Sequence, residues 1–98
     1  MPTLQRLPRF DRDYADLTAA QKREFRKAVG LFLVGLKGGT GRFHPGLRVH
    51  RIDSTSDVWS LTWGDDARAT FQYGTSIRPG EPHIIWRRVG SHGVYRRP

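Results

Sequence analysis

The sequence contains no cysteine and no long hydrophobic run. A secreted domain of this size often needs disulfide bonds, so the lack of cysteine favours a reducing compartment. The longest apolar run, residues 31–34, is far too short to span a bilayer, and the N-terminal residues show no signal-peptide core. We therefore expect residues 1–98 to form a single cytoplasmic domain with no membrane segment.

Acidic residues are also scarce. Nine Asp and Glu face 17 Lys and Arg, which gives a net charge of +8. Such an excess is typical of proteins that bind a polyanion, nucleic acid first among them. Most of these cations are arginine, whose planar guanidinium grips phosphate in a bidentate manner and stacks on bases. A codon bias toward arginine is an alternative source of the arginine excess, but it leaves the surplus charge unexplained.

The first third of the chain has helical spacing. Pro8 suits the first turn of a helix, and Phe10, Tyr14 and Leu17 follow at helical intervals, which predicts a helix over residues 9–17.

A second helix is predicted over residues 19–37. The segment from Thr18 to Gln21 has the form of a capping box, and Gly38 and Gly39 are expected to end the helix. The apolar stripe of this helix comprises Phe25, Ala28, Val29, Phe32, Leu33 and Leu36, and its opposite face carries Lys22, Arg23, Arg26 and Lys27.

Four β-type segments follow a loop at residues 38–46. They are expected at residues 47–52, 58–63, 67–73 and 83–89, with a turn signal at Gly64-Asp65-Asp66. Short connections favour an antiparallel meander. The predicted fold is therefore α+β, with a helical hairpin packed on one face of a four-stranded, mainly antiparallel sheet. Whether residues 3–7 add an edge strand is left open.

One face of this sheet is expected to be polar and basic. In the segment 67–73, the polar residues Arg68, Thr70 and Gln72 alternate with apolar residues and therefore share one face. Arg48 and His50 share the corresponding side of the first strand. Because Arg87 and Arg88 are consecutive, strict alternation places them on opposite faces, so that one of them joins this surface. The surface is either a polyanion-binding face or an ordinary solvated face with scattered cations.

Four histidines supply the acid–base groups that titrate near neutral pH. Their spacing matches no zinc motif and the chain has no thiol, so no metal site is expected. The glycine-rich stretch GLKGGTGRFHPG lacks the order and context of a phosphate-binding loop. His44 and His83 are expected to have no chemical role. His92 differs, because it follows Gly90-Ser91 just after the last strand and precedes an aromatic and basic tail.

The sequence resembles the RelE/ParE superfamily of bacterial toxins over nearly its whole length. The run HIIWRRVGSHGVYRRP resembles the closing segment of these toxins, in which a final strand ends in Gly-Ser/Thr-His before an aromatic residue. The runs FHPGLRVHRI, DVWSLTW and DARATFQYG resemble the preceding loop and strands.

The resemblance implies the toxin of a type II toxin–antitoxin system, a metal-independent endoribonuclease that cleaves mRNA, free or on the ribosome, and inhibits translation. Its implied partners are a cognate antitoxin and mRNA, with no small-molecule cofactor and no membrane. Two alternatives remain, a ParE-like toxin that inhibits gyrase without catalysis and a basic RNA-binding module.

The resemblance also implies roles for individual residues. His92 matches the C-terminal catalytic histidine of the His-using branch, Arg68 matches the strand arginine that contacts the scissile phosphate, and His50 falls close to a strand histidine. Tyr95 lies near the aromatic that stacks or orients a base. Trp59 is near an Asp-Trp pair, which Val58 splits in this chain. The predicted catalytic set is His92, Arg68 and His50, and the predicted substrate-binding set is Arg48, Arg88, Tyr95, Lys37 and Trp59.

Overall fold

Two helices lie in the N-terminal third, as predicted. The computed structural model describes residues 2–37, 42–52 and 57–98, so the expected helix end at Gly38 and Gly39 lies outside the described residues. Helix α1 spans Pro8–Ala15 and helix α2 spans Ala19–Lys37. Helix α1 ends two residues earlier than predicted. None of the helices in the described ranges is long and apolar enough to cross a membrane.

The predicted capping box opens α2. The Thr18 backbone N–H donates to Gln21 Oε1 at 2.8 Å, and the Gln21 N–H donates to Thr18 Oγ1 at 3.1 Å. These reciprocal bonds satisfy amide groups that have no partner within the first helical turn. The start of α2 is therefore specified locally by four consecutive residues.

Within the described residues the sheet has five strands rather than the expected four. They are β1 (Thr3–Arg6), β2 (His50–Arg51), β3 (Trp59–Gly64), β4 (Ala67–Gly74) and β5 (His83–Ser91), in the spatial order β1-β5-β4-β3-β2. Strand β1 runs parallel to β5, and all other pairs are antiparallel. The α+β class with a mainly antiparallel sheet is thus confirmed, and the segment before Pro8 supplies the additional edge strand.

The predicted first strand over residues 47–52 is mostly wrong. Pro45–Leu47 form a 3₁₀ helix, and only His50–Arg51 pair with β3. The cause is local, because the His44 side chain accepts a hydrogen bond from the Gly46 N–H and Arg48 follows with a positive φ of 46°. A left-handed residue interrupts an extended strand.

The core lies between the helices and one face of the sheet, and it is mostly aromatic. Phe32 of α2 is fully buried, with ring centroids 4.9 Å from Phe71 and 5.6 Å from Trp86. Phe10 of α1 packs on Trp86 at 5.9 Å and on Phe25 at 5.8 Å. The two helices are therefore joined to the sheet through contacts among rings.

Strand β5 contains a bulge at its centre. Phe71 lies opposite Trp86 and Thr70 lies opposite Arg88, which leaves Arg87 as the extra residue. Trp86 and Val89 are both buried although three positions separate them. In a regular strand residues three apart point to opposite faces, so one inserted residue is needed to bury both.

We predict that Phe32→Ala lowers the free energy of unfolding by about 3–5 kcal/mol, because it removes a fully buried ring. Chemical denaturation monitored by tryptophan fluorescence measures the loss. Val34→Ala is the control, since Val34 is on the same helix and 69% exposed. Equal losses for the two variants would contradict the placement of α2.

Candidate functional site

The sheet face turned away from the helices carries polar residues. Leu61 and Phe71 point into the core, so Ser60 and Thr70 point the other way. We call this side the outer face, and it also carries Arg68 and Gln72. In the pairing register His50 lies opposite Ser60, and Ser60 lies opposite Thr70. A row of polar residues therefore crosses three strands, beginning with a candidate histidine.

The C-terminal segment, residues 92–98, folds back over the outer face. It begins as a 3₁₀ helix, His92–Arg96, whose N-terminus is capped by the Ser91 side chain. Val94 is buried, and the Tyr95 hydroxyl lies 2.5 Å from Ser60 Oγ. This segment packs against β4 and β5. Because this segment covers the outer face, Ser60 and Thr70 have no exposed surface although they point away from the core.

Both arginines of the β5 bulge hold the end of this segment. Arg87 Nε donates to the Pro98 carbonyl at 3.1 Å, and its Nη1 donates to Gln72 Oε1 at 2.6 Å. Arg88 Nη1 donates to the Arg97 carbonyl at 3.3 Å. The expectation that consecutive arginines serve opposite faces does not hold here, because the bulge breaks the alternation.

Arg88 is also paired with helix α1. Its Nε and Nη2 lie 2.6 and 3.1 Å from the carboxylate oxygens of Asp13, which also accepts from the Val89 N–H at 3.2 Å. The side chains of Arg88 and Asp13 are only 22% and 19% exposed. A substrate contact by Arg88 would have to compete with this ion pair, so Arg87 is the better placed of the two over the outer face.

His92 has an exposed ring at a defined position. Its backbone N–H donates to the carbonyl of Asp66 at 2.8 Å, and Asp66 has a positive φ of 50° in the β3–β4 turn. The imidazole ring packs against the ring of Tyr95 in an edge-to-face arrangement, with centroids 4.6 Å apart and planes at 81°. The turn therefore fixes the backbone of His92, and Tyr95 fixes its ring.

Arg68 lies at the same corner of the outer face. Its Nη1 donates to the carbonyl oxygens of Ala67 at 2.9 Å and Gly64 at 3.3 Å. The β3–β4 turn thus holds both the guanidinium of Arg68 and the backbone of His92. Both residues therefore contact the same turn, and Arg68 also lines the groove beside α2 that contains Leu31 and Arg48.

His50 belongs to β2 and lies opposite Ser60, on the side of β3 that is away from β4. Its Nδ1 is 2.8 Å from the Arg48 carbonyl. Because a carbonyl oxygen only accepts, Nδ1 must carry the hydrogen, which leaves Nε2 of the neutral ring as a proton acceptor. With Tyr95 bonded to Ser60 and packed on His92, this tyrosine lies between the two candidate histidines.

The other predicted binding residues are Trp59, Lys37 and Arg48. Trp59 is half-buried on the helix side of the sheet, where its ring packs edge-on against the ring of Tyr73, with centroids 5.7 Å apart. Partial burial raises the pKa of the Tyr73 phenol. Lys37 is exposed at the last position of α2. The side chain of Arg48 lines a groove beside α2 that also includes Leu31.

The other two histidines have structural contacts. His44 caps the 3₁₀ helix at Pro45–Leu47. His83 is buried, with its ring nitrogens 2.7 Å from Thr3 Oγ1 and 3.0 Å from Gln5 Oε1, so that it fastens β1 to β5.

Sequence reasoning missed Ser60 as a member of this site and left open which of Arg87 and Arg88 joins it. Ser60 alternates with Trp59 and Leu61 and so shares a face with Thr70, a signal that was present in the strand pattern. Nothing in the sequence around Arg87 marks the bulge, because consecutive arginines are compatible with a regular strand.

Comparison with known proteins identifies the fold. No protein-family model matches the sequence, and no curated protein is detectably similar to it in sequence. A solved structure of a histidine-to-glutamine variant of YafQ from Escherichia coli is similar at a TM-score of 0.62 and 12% identity, covering 97% of this chain and 98% of that chain.

Two further solved structures are similar. The E. coli DinJ–YafQ toxin–antitoxin complex matches with a TM-score of 0.62 and 14% identity, over 95% of this chain and 94% of that chain. A conserved hypothetical protein from Helicobacter pylori matches with a TM-score of 0.51 and 16% identity, over 95% and 97% of the two chains. The predicted RelE/ParE-type fold is therefore confirmed.

We predict that Asp13→Ala lowers the free energy of unfolding by about 1.5–3 kcal/mol, because it leaves the guanidinium of Arg88 and the Val89 N–H without their acceptor. Denaturant titration measures the change. The matched control is Asp11→Ala on the same helix. Asp11 pairs with Arg6 at 3.1 Å, but both side chains are more than half exposed, so about 0–1 kcal/mol is expected there. Equal losses would show that the Asp13 ion pair adds nothing to stability.

Proposed function

We propose that this chain is the toxin of a type II toxin–antitoxin pair and that it acts in the cytoplasm as a metal-independent mRNA endoribonuclease. The observation that carries the proposal is a chain of contacts: the β3–β4 turn holds both Arg68 and the backbone of His92, and Tyr95 packs on His92 and bonds to Ser60, which lies opposite His50. His92, Arg68, Tyr95 and His50 are the residues that the RelE/ParE resemblance assigns to catalysis and base contact. The fold shared with YafQ, which is solved in a toxin–antitoxin complex, supports the same reading.

Cleavage of RNA without a metal requires three functions at one phosphate. A base removes the proton of the 2′-hydroxyl, a cation stabilises the phosphoryl oxygens, and an acid protonates the departing 5′-oxygen. In this proposal the 2′-oxygen forms a bond to phosphorus while the bond to the 5′-oxygen breaks. The products are a 2′,3′-cyclic phosphate and a free 5′-hydroxyl.

The contacts of these residues favour a particular assignment of the three functions. His50 Nε2 is the proton acceptor, because the Arg48 carbonyl holds the hydrogen on Nδ1. His92, exposed at the rim, donates its proton to the leaving oxygen. Arg68 stabilises the charge that develops on the phosphate, a role in which one lost donor costs about 10²–10³ in rate. Tyr95, between the histidines, offers a ring on which a base can stack.

Binding of the RNA chain rests on the surplus of cations. A net charge of +8 attracts a polyphosphate backbone regardless of sequence. We propose that mRNA is cleaved on the ribosome and that exposed cations outside the corner, including Arg48 and Lys37, contact the surrounding phosphates. Arg88 contributes indirectly, since its ion pair with Asp13 anchors the segment that carries His92.

We predict that His92→Gln folds normally and loses mRNA cleavage by about 10²–10⁴-fold, since a missing general acid costs this much. Growth on induction and primer-extension mapping of cellular mRNA measure the effect. His44→Gln is the control, because His44 only caps a 3₁₀ helix, and it should remain toxic.

Full toxicity of the His92→Gln variant would overturn the nuclease proposal. An accompanying loss of gyrase supercoiling activity would then assign the chain to the ParE-like alternative. Toxicity without cleavage or gyrase inhibition would leave a basic RNA-binding module.

We predict a small acidic or amphipathic antitoxin that covers the basic outer face, because an unopposed active nuclease would kill its producer. The His92→Gln chain, used as bait in extracts of the native host, should retain one small protein in a stoichiometric amount. Co-expression of that protein should restore growth in cells that produce the unaltered chain. A retained protein that fails to restore growth would count against the toxin assignment.

A further inference from the structure

We infer that Ser60 is a positioning residue for His92 and that it acts through the hydroxyl group of Tyr95. The inference rests on the proposed function, since it explains how the proposed general acid is held in place. It assigns a role to Ser60 in the buried centre of β3, a residue for which the resemblance to toxins implies none.

The first observation is the contact itself. Ser60 has no exposed surface, and its Oγ lies 2.5 Å from the Tyr95 hydroxyl. Strand β3 is paired on both sides, with His50 opposite Ser60 on β2 and Thr70 opposite it on β4. Ser60 is therefore a fixed point in the sheet, whereas Tyr95 belongs to a short terminal segment.

The second observation is the helix type of that segment. His92 and Tyr95 are three residues apart in a 3₁₀ helix, and in this helix the side chains at i and i+3 eclipse one another. Their rings accordingly meet, with centroids 4.6 Å apart. Since His92 is otherwise exposed, the orientation of its imidazole depends on where the ring of Tyr95 is held.

The third observation concerns the hydroxyl group. Stacking of a base requires only an aromatic ring, which phenylalanine would supply equally. The hydroxyl of Tyr95 instead points into the sheet and pairs with a buried serine. A 3₁₀ helix of five residues has poor hydrogen-bond geometry of its own, so the bond from Tyr95 to Ser60 holds the helix itself, while Arg87 and Arg88 hold the residues that follow it.

The chain offers a matched control next to Ser60. Thr70 lies opposite Ser60, is equally buried, and its Oγ1 has no hydrogen-bond partner among the described residues. Thr70→Val removes a hydroxyl group from the same face without removing a bond. Ser60→Ala and Tyr95→Phe remove the two ends of the bond one at a time.

The test begins with NMR of the purified chain, without substrate. The ring protons of His92 should be displaced by the ring current of Tyr95. Ser60→Ala and Tyr95→Phe should each move these resonances toward the values of a free histidine, while Thr70→Val leaves them unchanged. Unchanged His92 resonances in a folded Ser60→Ala variant would overturn the inference, and this readout does not depend on whether the chain cleaves RNA.

Kinetics supply the second readout. Ser60→Ala should lower kcat by about 10- to 100-fold, since small displacements of a catalytic group have effects of this size, and should leave KM nearly unchanged. The Ser60→Ala/Tyr95→Phe double variant should be no slower than Tyr95→Phe alone, because both changes break one bond. Fully additive losses would overturn the inference. If the unaltered chain shows no cleavage while the NMR result holds, the proposed function fails and the positioning contact stands.

Discussion

The burial of Trp86 is the constraint on which the rest of the structure depends. Its ring contacts four other rings, those of Phe10, Phe25, Phe32 and Phe71, at centroid distances of 5.5–5.9 Å. These partners come from α1, α2 and β4, so one side chain of β5 joins three elements. In a chain with only 37% hydrophobic residues, large rings supply contact area that aliphatic residues would otherwise provide.

The same burial determines how the outer face is organised. Because Trp86 and Val89 both enter the core, β5 must accommodate an extra residue, and the bulge releases Arg87 and Arg88 from strict alternation. Both guanidinium groups then donate to carbonyls at the end of the C-terminal segment. Packing on one side of the sheet thus fixes the segment that carries His92 on the other side.

Local features could be predicted from the sequence and long-range ones could not. The capping box from Thr18 to Gln21 and the buried stripe of α2 depend on neighbours within a few residues, and both were predicted correctly. The bulge at Arg87 and the parallel pairing of β1 depend on distant contacts that no period reveals. The 3₁₀ helix at Pro45–Leu47 is held locally by the His44 cap, but it is too short to leave a periodic pattern. For the site, the residue types were predicted, whereas the bond that links Tyr95 to Ser60 required the fold.

The way in which the two candidate histidines are held suits a polyanionic substrate. His50 bonds to the carbonyl of Arg48, and the backbone of His92 bonds to the carbonyl of Asp66, both of which have positive φ. Left-handed residues are costly and persist where surrounding contacts fix them. Many active sites orient histidine with a carboxylate, whereas the bonds described for His50 and for the backbone of His92 go to carbonyl oxygens. A backbone carbonyl orients each histidine without adding a full negative charge of its own, and the carboxylates of Asp65 and Asp66 in the same turn are not the groups that bond to either histidine among the described contacts.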